Sequence, residues 1–237
     1  MGLNRRLLGA LPRIAKRRRV QPVFEHIIFD LDGTLIDSRA DLSVAVNHVL
    51  RTFGLPELPL ETVCQYVGEG ARVLVQRALG PAQQARLDEG LKVYLAYYGG
   101  HLLDHTRPYD GIPEALAALA ERSVVLSVLT NKPAAMSRTI LDGLGLLSYF
   151  AAVVGGDSLA LRKPDPAGIE YLLATTRASR ARTVLVGDSL IDLHTASAAQ
   201  IAFCGVAWGL RCADLVAARV DRMVDHPSQL VHIVEFG

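Results

Sequence analysis

Two pairs of carboxylates in this sequence could bind a cation or act as an acid and a base. Asp30 and Asp32 come directly after one apolar run, and Asp188 and Asp192 follow another. Carboxylates that converge on one crevice repel one another strongly unless a cation lies between them. Oxygen ligands suit magnesium, whereas a zinc site would be expected to include His or Cys. The pairs therefore predict a magnesium site, and the structural alternative is two independent capped loops.

A hydroxyl and an ammonium group extend this pattern. Thr130 follows a further apolar run, and Lys163 lies in a polar stretch before Pro164. A hydroxyl, a backbone amide and an ammonium could together hold a phosphoryl group whose charge the cation also neutralises. Taken singly, Thr130 could be a helix cap and Lys163 a solvated loop lysine. Combined with the carboxylates, they indicate chemistry on a phosphate.

Apolar runs and helical patterns alternate through the second half of the chain. This alternation predicts an α/β fold with a parallel sheet and helices on both faces. Ligands of such sheets bind at the carboxyl ends of the strands, where the candidate residues lie. The predicted strands are His26–Phe29, Val124–Leu129, Ala152–Val154, Thr183–Val186 and Ile201–Val206, and the predicted helices are Pro113–Arg122, Ala134–Gly143, Pro166–Arg177 and Ile191–Ala199.

The segment from Asp41 to Thr106 is too long for a loop between two strands. Its apolar positions suggest several amphipathic helices, interrupted near Gly54 and Gly80. We therefore predict an inserted α-helical cap over residues 41–106. The Rossmann-like core is predicted over residues 23–40 and 107–237, after a basic extension over residues 1–22.

Composition narrows the class of protein. The chain has 237 residues, of which 50% are hydrophobic, and a formal net charge of +1, so its overall charge gives no case for binding nucleic acid. Seven basic residues and no acid occur in residues 1–20. This stretch could be an electrostatic arm or a targeting segment, or only a solvated N-terminus. No stretch is long and apolar enough to predict a membrane span.

Three cysteines occur without the spacing of a zinc site or a disulfide framework. Unpaired thiols suit a reducing compartment, so we expect a cytoplasmic protein. The expected partner is a small phosphorylated metabolite.

The chain resembles the phosphatase branch of the haloacid dehalogenase superfamily. The resemblance extends from about residue 24 to residue 224 and includes a helical cap inserted after the first motif. It implies a Rossmann-like core of the haloacid dehalogenase type. Four motifs carry it in chain order: Asp30-Leu31-Asp32-Gly33-Thr34, Thr130 after a strand, Lys163-Pro164, and Gly187-Asp188-Ser189 with Asp192.

The resemblance assigns distinct roles to the first two carboxylates. It implies that Asp30 is the nucleophile that attacks phosphorus and forms an aspartyl-phosphate. It implies that Asp32 is the general acid and base, which protonates the leaving oxygen and then activates water. The dehalogenases of the superfamily lack the second of these carboxylates, so Asp32 favours phosphate chemistry.

The resemblance also implies how the metal and the phosphoryl group are held. Mg²⁺ is expected to be bound by the Asp30 carboxylate, the Asp32 backbone carbonyl and Asp188. Asp192 is expected to orient the metal's waters or Lys163. The residues expected to hold the phosphoryl oxygens are Thr130, Asn131 and Lys163.

Local stretches resemble phosphoglycolate phosphatases in particular, which implies 2-phosphoglycolate as substrate and glycolate and phosphate as products. Gly68 and Gly70 could form a cap loop over the site, and Arg72 could pair with a substrate carboxylate. Alternatively, the glycines only start a helix whose Arg72 faces water. The stretches are Val67-Gly68-Glu69-Gly70-Ala71-Arg72, Thr106-Arg107-Pro108-Tyr109-Asp110-Gly111, Thr130-Asn131-Lys132-Pro133 and Gly155-Gly156-Asp157-Ser158.

Other functions fit the same scaffold. A phosphatase for a sugar phosphate or an amino-sugar phosphate would use the same catalytic residues, and so would a phosphosugar mutase. A regulatory protein that senses a phosphorylated metabolite would be expected to lack the nucleophile or the acid, and both Asp30 and Asp32 are present.

Overall fold

Strands and helices alternate along the chain. The computed structural model describes residues 23–236, so the basic extension predicted over residues 1–22 lies outside the described residues. The strands are β1 (His26–Phe29), β2 (Ile36–Asp37), β3 (Arg107–Pro108), β4 (Val125–Leu129), β5 (Ala152–Val154), β6 (Thr183–Gly187), β7 (Ala202–Val206) and β8 (Met223–Val224). The helices are α1 (Arg39–Thr52), α2 (Leu60–Tyr66), α3 (Ala71–Leu79), α4 (Leu87–Gly100), α5 (Ile112–Glu121), α6 (Ala134–Gly143), α7 (Ala167–Thr176), α8 (Leu190–Ala198), α9 (Cys212–Ala217) and α10 (Leu230–Phe236).

A parallel sheet of six strands forms the core, in the order β5-β4-β1-β6-β7-β8. Strand β1 is buried throughout and apolar after His26, because both faces of a parallel sheet are covered by helices. Its alternate side chains point to opposite faces: Ile27 and Phe29 pack in the larger apolar cluster, and Ile28 packs in the smaller one. Because β1 lies between β4 and β6, the carboxyl ends of these three strands meet at one edge of the sheet.

The predicted α/β fold is confirmed, and the predicted strands and helices agree with the structure to within one residue at each end. Helices α9 and α10, strand β8 and the pairing of β2 with β3 were not predicted. Strand β8 has only two residues, too few to form an apolar run. Strands β2 and β3 form a short antiparallel pair, with Ile36 opposite Pro108 and Asp37 opposite Arg107.

Helices α1 to α4 pack against one another over the segment predicted as the cap. The breaks in this segment fall where the sequence predicts them, since α1 ends before Gly54 and α3 ends before Gly80. The boundaries of the cap at residues 41 and 106 stay a prediction. Helices α1 and α4 have 14 residues each, and within residues 23–236 no helix is long and apolar enough to cross a membrane.

The buried carboxylate of Asp41 ties the start of the helical segment to its end. Asp41 lies in the first turn of α1 and accepts hydrogen bonds from the backbone N–H of His105 at 3.0 Å and of Thr106 at 2.8 Å. The Thr106 hydroxyl also donates to it at 2.7 Å. Burial alone would raise the pKa of Asp41, but the hydrogen bonds from Thr106 and His105 lower it below its ordinary value. An anion therefore fixes the position of both connections to the sheet.

Replacing Asp41 by Asn should destabilise the fold. In Asp41→Asn, an amide NH₂ faces donors that it cannot satisfy, so we expect the free energy of unfolding to fall by about 2–3 kcal/mol. Urea unfolding followed by circular dichroism measures this change. The matched control is Asp110→Asn on an exposed side chain, which should change stability by less than about 0.5 kcal/mol. Equal stability of both variants would contradict the role given to Asp41.

Candidate active site

The first predicted motif continues the sheet and then turns sharply. The backbone N–H of Asp30 donates to the carbonyl of Val186 at 2.9 Å, which fixes Asp30 beside the end of β6. The chain then turns at Gly33, whose φ of +86° favours glycine. A Cβ atom at Gly33 would also collide with the carboxylate of Asp188. The glycine thus lets the loop after β1 pass closely over the loop after β6.

Three carboxylates converge at this edge of the sheet. Asp30, Asp188 and Asp192 are all buried, and each offers an oxygen within 4.8 Å of the others. The Lys163 ammonium lies 2.8 Å from Asp30 and 2.6 Å from Asp192. Asp192 also accepts a hydrogen bond from the Ser189 hydroxyl at 2.6 Å, in a capping box that begins α8. Residues from the first, third and fourth motifs therefore form one cluster.

The cluster carries more negative charge than its lysine balances. Burial raises the pKa of Asp30 to about 7, although Lys163 acts to lower it. Burial, Asp192 and Asp30 together raise the pKa of Asp188 well above its ordinary value. Burial alone would lower the pKa of Lys163, but Asp192 and Asp30 raise it. A further positive charge beside the carboxylates would therefore be strongly stabilising.

The cluster fits a hard divalent cation. Its possible ligands are carboxylate oxygens only, which suits magnesium. Within residues 23–236, this is the only group of three acidic, His or Cys side chains with such spacing. Asp30, Asp188 and Asp192 are the side chains that could hold the ion. The side chain of Asp32 lies elsewhere, so its predicted part in metal binding would fall to its backbone carbonyl.

The side chain of Asp32 contacts a different lysine. Its Oδ1 atom accepts a hydrogen bond from the Ser38 hydroxyl at 2.6 Å and another from Lys132 Nζ at 2.5 Å. Lys132 is buried, and its ammonium lies 5.0 Å from the centre of the Tyr98 ring. No role was predicted for Lys132, although this residue directly follows Thr130 and Asn131. Only this adjacency could have singled it out.

Thr130 and Asn131 follow β4 at the same edge. The backbone N–H of Thr130 donates to Val154 at 3.0 Å, which keeps the residue in register with β5. The side-chain amide of Asn131 donates to the carbonyls of Gly68 at 2.9 Å and Lys163 at 3.0 Å. Asn131 thus joins the sheet edge to the loop before α3 and to the Lys163 loop. The buried Oδ1 atom of Asn131 has no hydrogen-bond partner within residues 23–236.

A cavity lies between the end of the sheet and the helical segment. The side of the cavity formed by the sheet edge is polar, and the side formed by the helical segment is mainly apolar. The sheet edge contributes Asp30, Asp32, Thr130, Asn131 and Lys132, and the helical segment contributes Leu42, Val67, Leu74, Tyr94, Leu95 and Tyr98.

Arg72 does not reach this cavity, contrary to the expectation from sequence. It lies on α3, which begins at Ala71 directly after Gly70. Its guanidinium pairs with Asp88 at 2.8 Å, and about half of the side chain is exposed. Arg72 therefore lies at the surface, as the alternative interpretation supposed, whereas Gly68 and Gly70 themselves line the cavity.

Comparison with known proteins identifies the family. A family model described as haloacid dehalogenase-like hydrolase matches residues 27–206. The chain belongs to this family. The resemblance found in the four motifs is therefore confirmed, and the match spans the sheet from β1 to β7 together with the helical segment.

Named relatives of this hydrolase family are similar over most of their length. A phosphoglycolate phosphatase of Agrobacterium fabrum is 34% identical over 209 residues, which cover 86% of this chain and 90% of the relative. One of Colwellia psychrerythraea is 38% identical over 192 residues, covering 78% and 85%. The crystal structure of a predicted phosphoglycolate phosphatase from Haemophilus somnus has a TM-score of 0.84 at 31% identity, covering 89% of this chain and 98% of that one. The predicted enzyme class, a phosphoric monoester hydrolase, is confirmed.

The raised pKa values predict how the metal-free protein responds to pH. Asp30 has a pKa of about 7 in the folded chain, against an ordinary value of 3.8. Between these values the folded chain retains a proton that the unfolded chain releases, so folding becomes less favourable as pH rises. Magnesium would favour the ionised carboxylates, and we expect it to raise the melting temperature more at about pH 8 than at about pH 5.

Thermal unfolding with magnesium or with a chelator at both pH values measures this effect. In the Asp30→Asn variant, the rise in melting temperature that magnesium causes should differ less between the two pH values, because the substituted side chain does not titrate. Equal stabilisation by magnesium at both pH values in the unmodified protein would contradict the electrostatic description of the cluster.

Proposed function

We propose that this enzyme is a magnesium-dependent phosphatase that hydrolyses 2-phosphoglycolate through a phosphorylated Asp30. The observation that carries the proposal is the position of Asp30. It lines the cavity, contacts Lys163 and belongs to the carboxylate cluster. The names of the relatives support the choice of substrate.

In the first step, a carboxylate oxygen of Asp30 attacks phosphorus and the bond from phosphorus to the ester oxygen breaks. Asp32 gives its proton to that oxygen, and glycolate leaves. The Lys163 ammonium, 2.8 Å from Asp30, offsets the charge of the phosphoryl oxygens. The Thr130 hydroxyl and the Asn131 loop would donate hydrogen bonds to the same oxygens.

In the second step, Asp32 accepts a proton from water as the water oxygen attacks phosphorus. The bond between phosphorus and Asp30 breaks, which releases phosphate and restores the carboxylate. Asp30, Asp188 and the Asp32 carbonyl would hold Mg²⁺. Asp192, whose carboxylate contacts Lys163 and Ser189, would orient that lysine or the waters of the ion. When bound, the ion supplies positive charge that neutralises the phosphoryl group and keeps Asp30 ionised.

The lining of the cavity favours a small substrate over a sugar phosphate. Several hydroxyls of a sugar would lie against Val67, Leu74 and Leu95 without hydrogen-bond partners, which is costly when the groups are buried. An apolar cover also excludes bulk water from the phosphoryl group. A short organic acid has few polar groups to satisfy on this side.

The nucleophile is tested by a nearly isosteric substitution. Asp30→Asn should lower kcat by at least about 1,000-fold, because an amide is not a competent nucleophile toward phosphorus. Phosphate release in the presence of magnesium measures turnover, and circular dichroism verifies the fold. A kcat of about one-tenth or more of the value for the unmodified enzyme would refute the assignment of Asp30 as the nucleophile.

The substrate is tested by ranking phosphate esters by kcat/KM. The panel holds 2-phosphoglycolate, sugar phosphates, amino-sugar phosphates and a neutral aryl phosphate, each with magnesium and with a chelator. We expect 2-phosphoglycolate to exceed the sugar phosphates by about 100-fold, and the chelator to stop all hydrolysis. A sugar phosphate at the head of the ranking would overturn the substrate, and hydrolysis in chelator would overturn the metal.

A further inference from the structure

We infer that Lys132 and Tyr98 form a subsite for the carboxylate of the substrate, the role that the sequence suggested for Arg72. The inference rests on the proposed function and adds the residues that select an acidic substrate. A subsite of this kind requires a positive charge at the cavity, a further hydrogen-bond donor, and a position one short spacer away from the reacting ester.

Lys132 supplies the positive charge. Within the described part of the chain, it is the only cationic side chain that lines the cavity. Its side chain is 5% exposed, so its charge is poorly screened by solvent. An ammonium has three donors, and the hydrogen bond to Asp32 uses one of them. Lys132 can therefore bind a second anion without releasing Asp32, which Ser38 also holds.

Tyr98 supplies the second donor. It extends from α4 into the lining of the cavity, is 1% exposed, and its hydroxyl has no hydrogen-bond partner among the described residues. Burial raises the pKa of Tyr98 well above its ordinary value, so the hydroxyl keeps its proton. A buried donor without a partner is costly, which is expected where a ligand completes the hydrogen bond.

The chemistry of 2-phosphoglycolate matches this position. A single methylene carbon separates its ester oxygen from its carboxylate. Asp32 must lie beside the ester oxygen to protonate it, and Lys132 Nζ lies 2.5 Å from Asp32 Oδ1. The carboxylate would therefore come to lie near Lys132 and Tyr98. A neutral ester would leave the ammonium without this second partner.

Binding to a variant that cannot turn over separates recognition from catalysis. The protein is the Asp30→Asn variant with magnesium. Calorimetry compares 2-phosphoglycolate with 2-hydroxyethyl phosphate, in which a neutral hydroxymethyl group replaces the carboxylate. Adding Lys132→Met should raise Kd for 2-phosphoglycolate by about 10- to 100-fold, and Kd for the neutral ester by less than about threefold. Lys92→Met, on the exposed side of α4, is the matched control and should change neither value.

Tyr98→Phe gives a second test that leaves the pair of Lys132 and Asp32 intact. It should raise Kd for 2-phosphoglycolate by about 3- to 10-fold and leave the neutral ester unchanged. Equal weakening of both ligands by Lys132→Met, or no change in either variant, would overturn the inference. Failure of the proposed function would give a different result, namely no turnover of 2-phosphoglycolate by the unmodified enzyme. The comparison of Kd values does not require turnover, so the two failures can be told apart.

Discussion

The repulsion among buried carboxylates is the constraint on which the rest of this structure depends. Asp30, Asp188 and Asp192 each offer a carboxylate oxygen within 4.8 Å of the others, and all three side chains are buried. Unpaired charges in such surroundings cost several kcal/mol each. The sheet supplies the rigidity that keeps the groups together, because β1 and β6 are adjacent, buried strands whose ends hold the first and last motifs.

The two carboxylates of the first motif meet this constraint in different ways. Asp30 pairs with Lys163 inside the cluster, whereas Asp32 pairs with Lys132, which follows β4. Both carboxylates line the cavity, but two residues of separation along the turn after β1 place only Asp30 in the carboxylate cluster and place Asp32 beside Lys132. This division is what a nucleophile and an acid need, since they act on opposite sides of the phosphorus atom.

Local pattern in the sequence predicted most of the fold and the cluster. Buried parallel strands are continuous apolar runs, so β1 and β6 were recognised, and the carboxylates after them could be placed at one edge. The position of Arg72 depends on which side of α3 faces the cavity, and that follows from packing against α4. The contact of Lys132 with Asp32 likewise joins distant parts of the chain, so no local pattern indicated it.

In the proposed reaction the phosphoryl group passes through the Asp30 carboxylate, and chemical trapping can detect this covalent step. Turnover of 2-phosphoglycolate is quenched rapidly in acid, the protein is reduced with borohydride, and its peptides are sequenced by mass spectrometry. Borohydride reduces an acyl phosphate to an alcohol, so we expect this modification at position 30 and at no other carboxylate. Modification of a different residue, or none during sustained turnover, would contradict it.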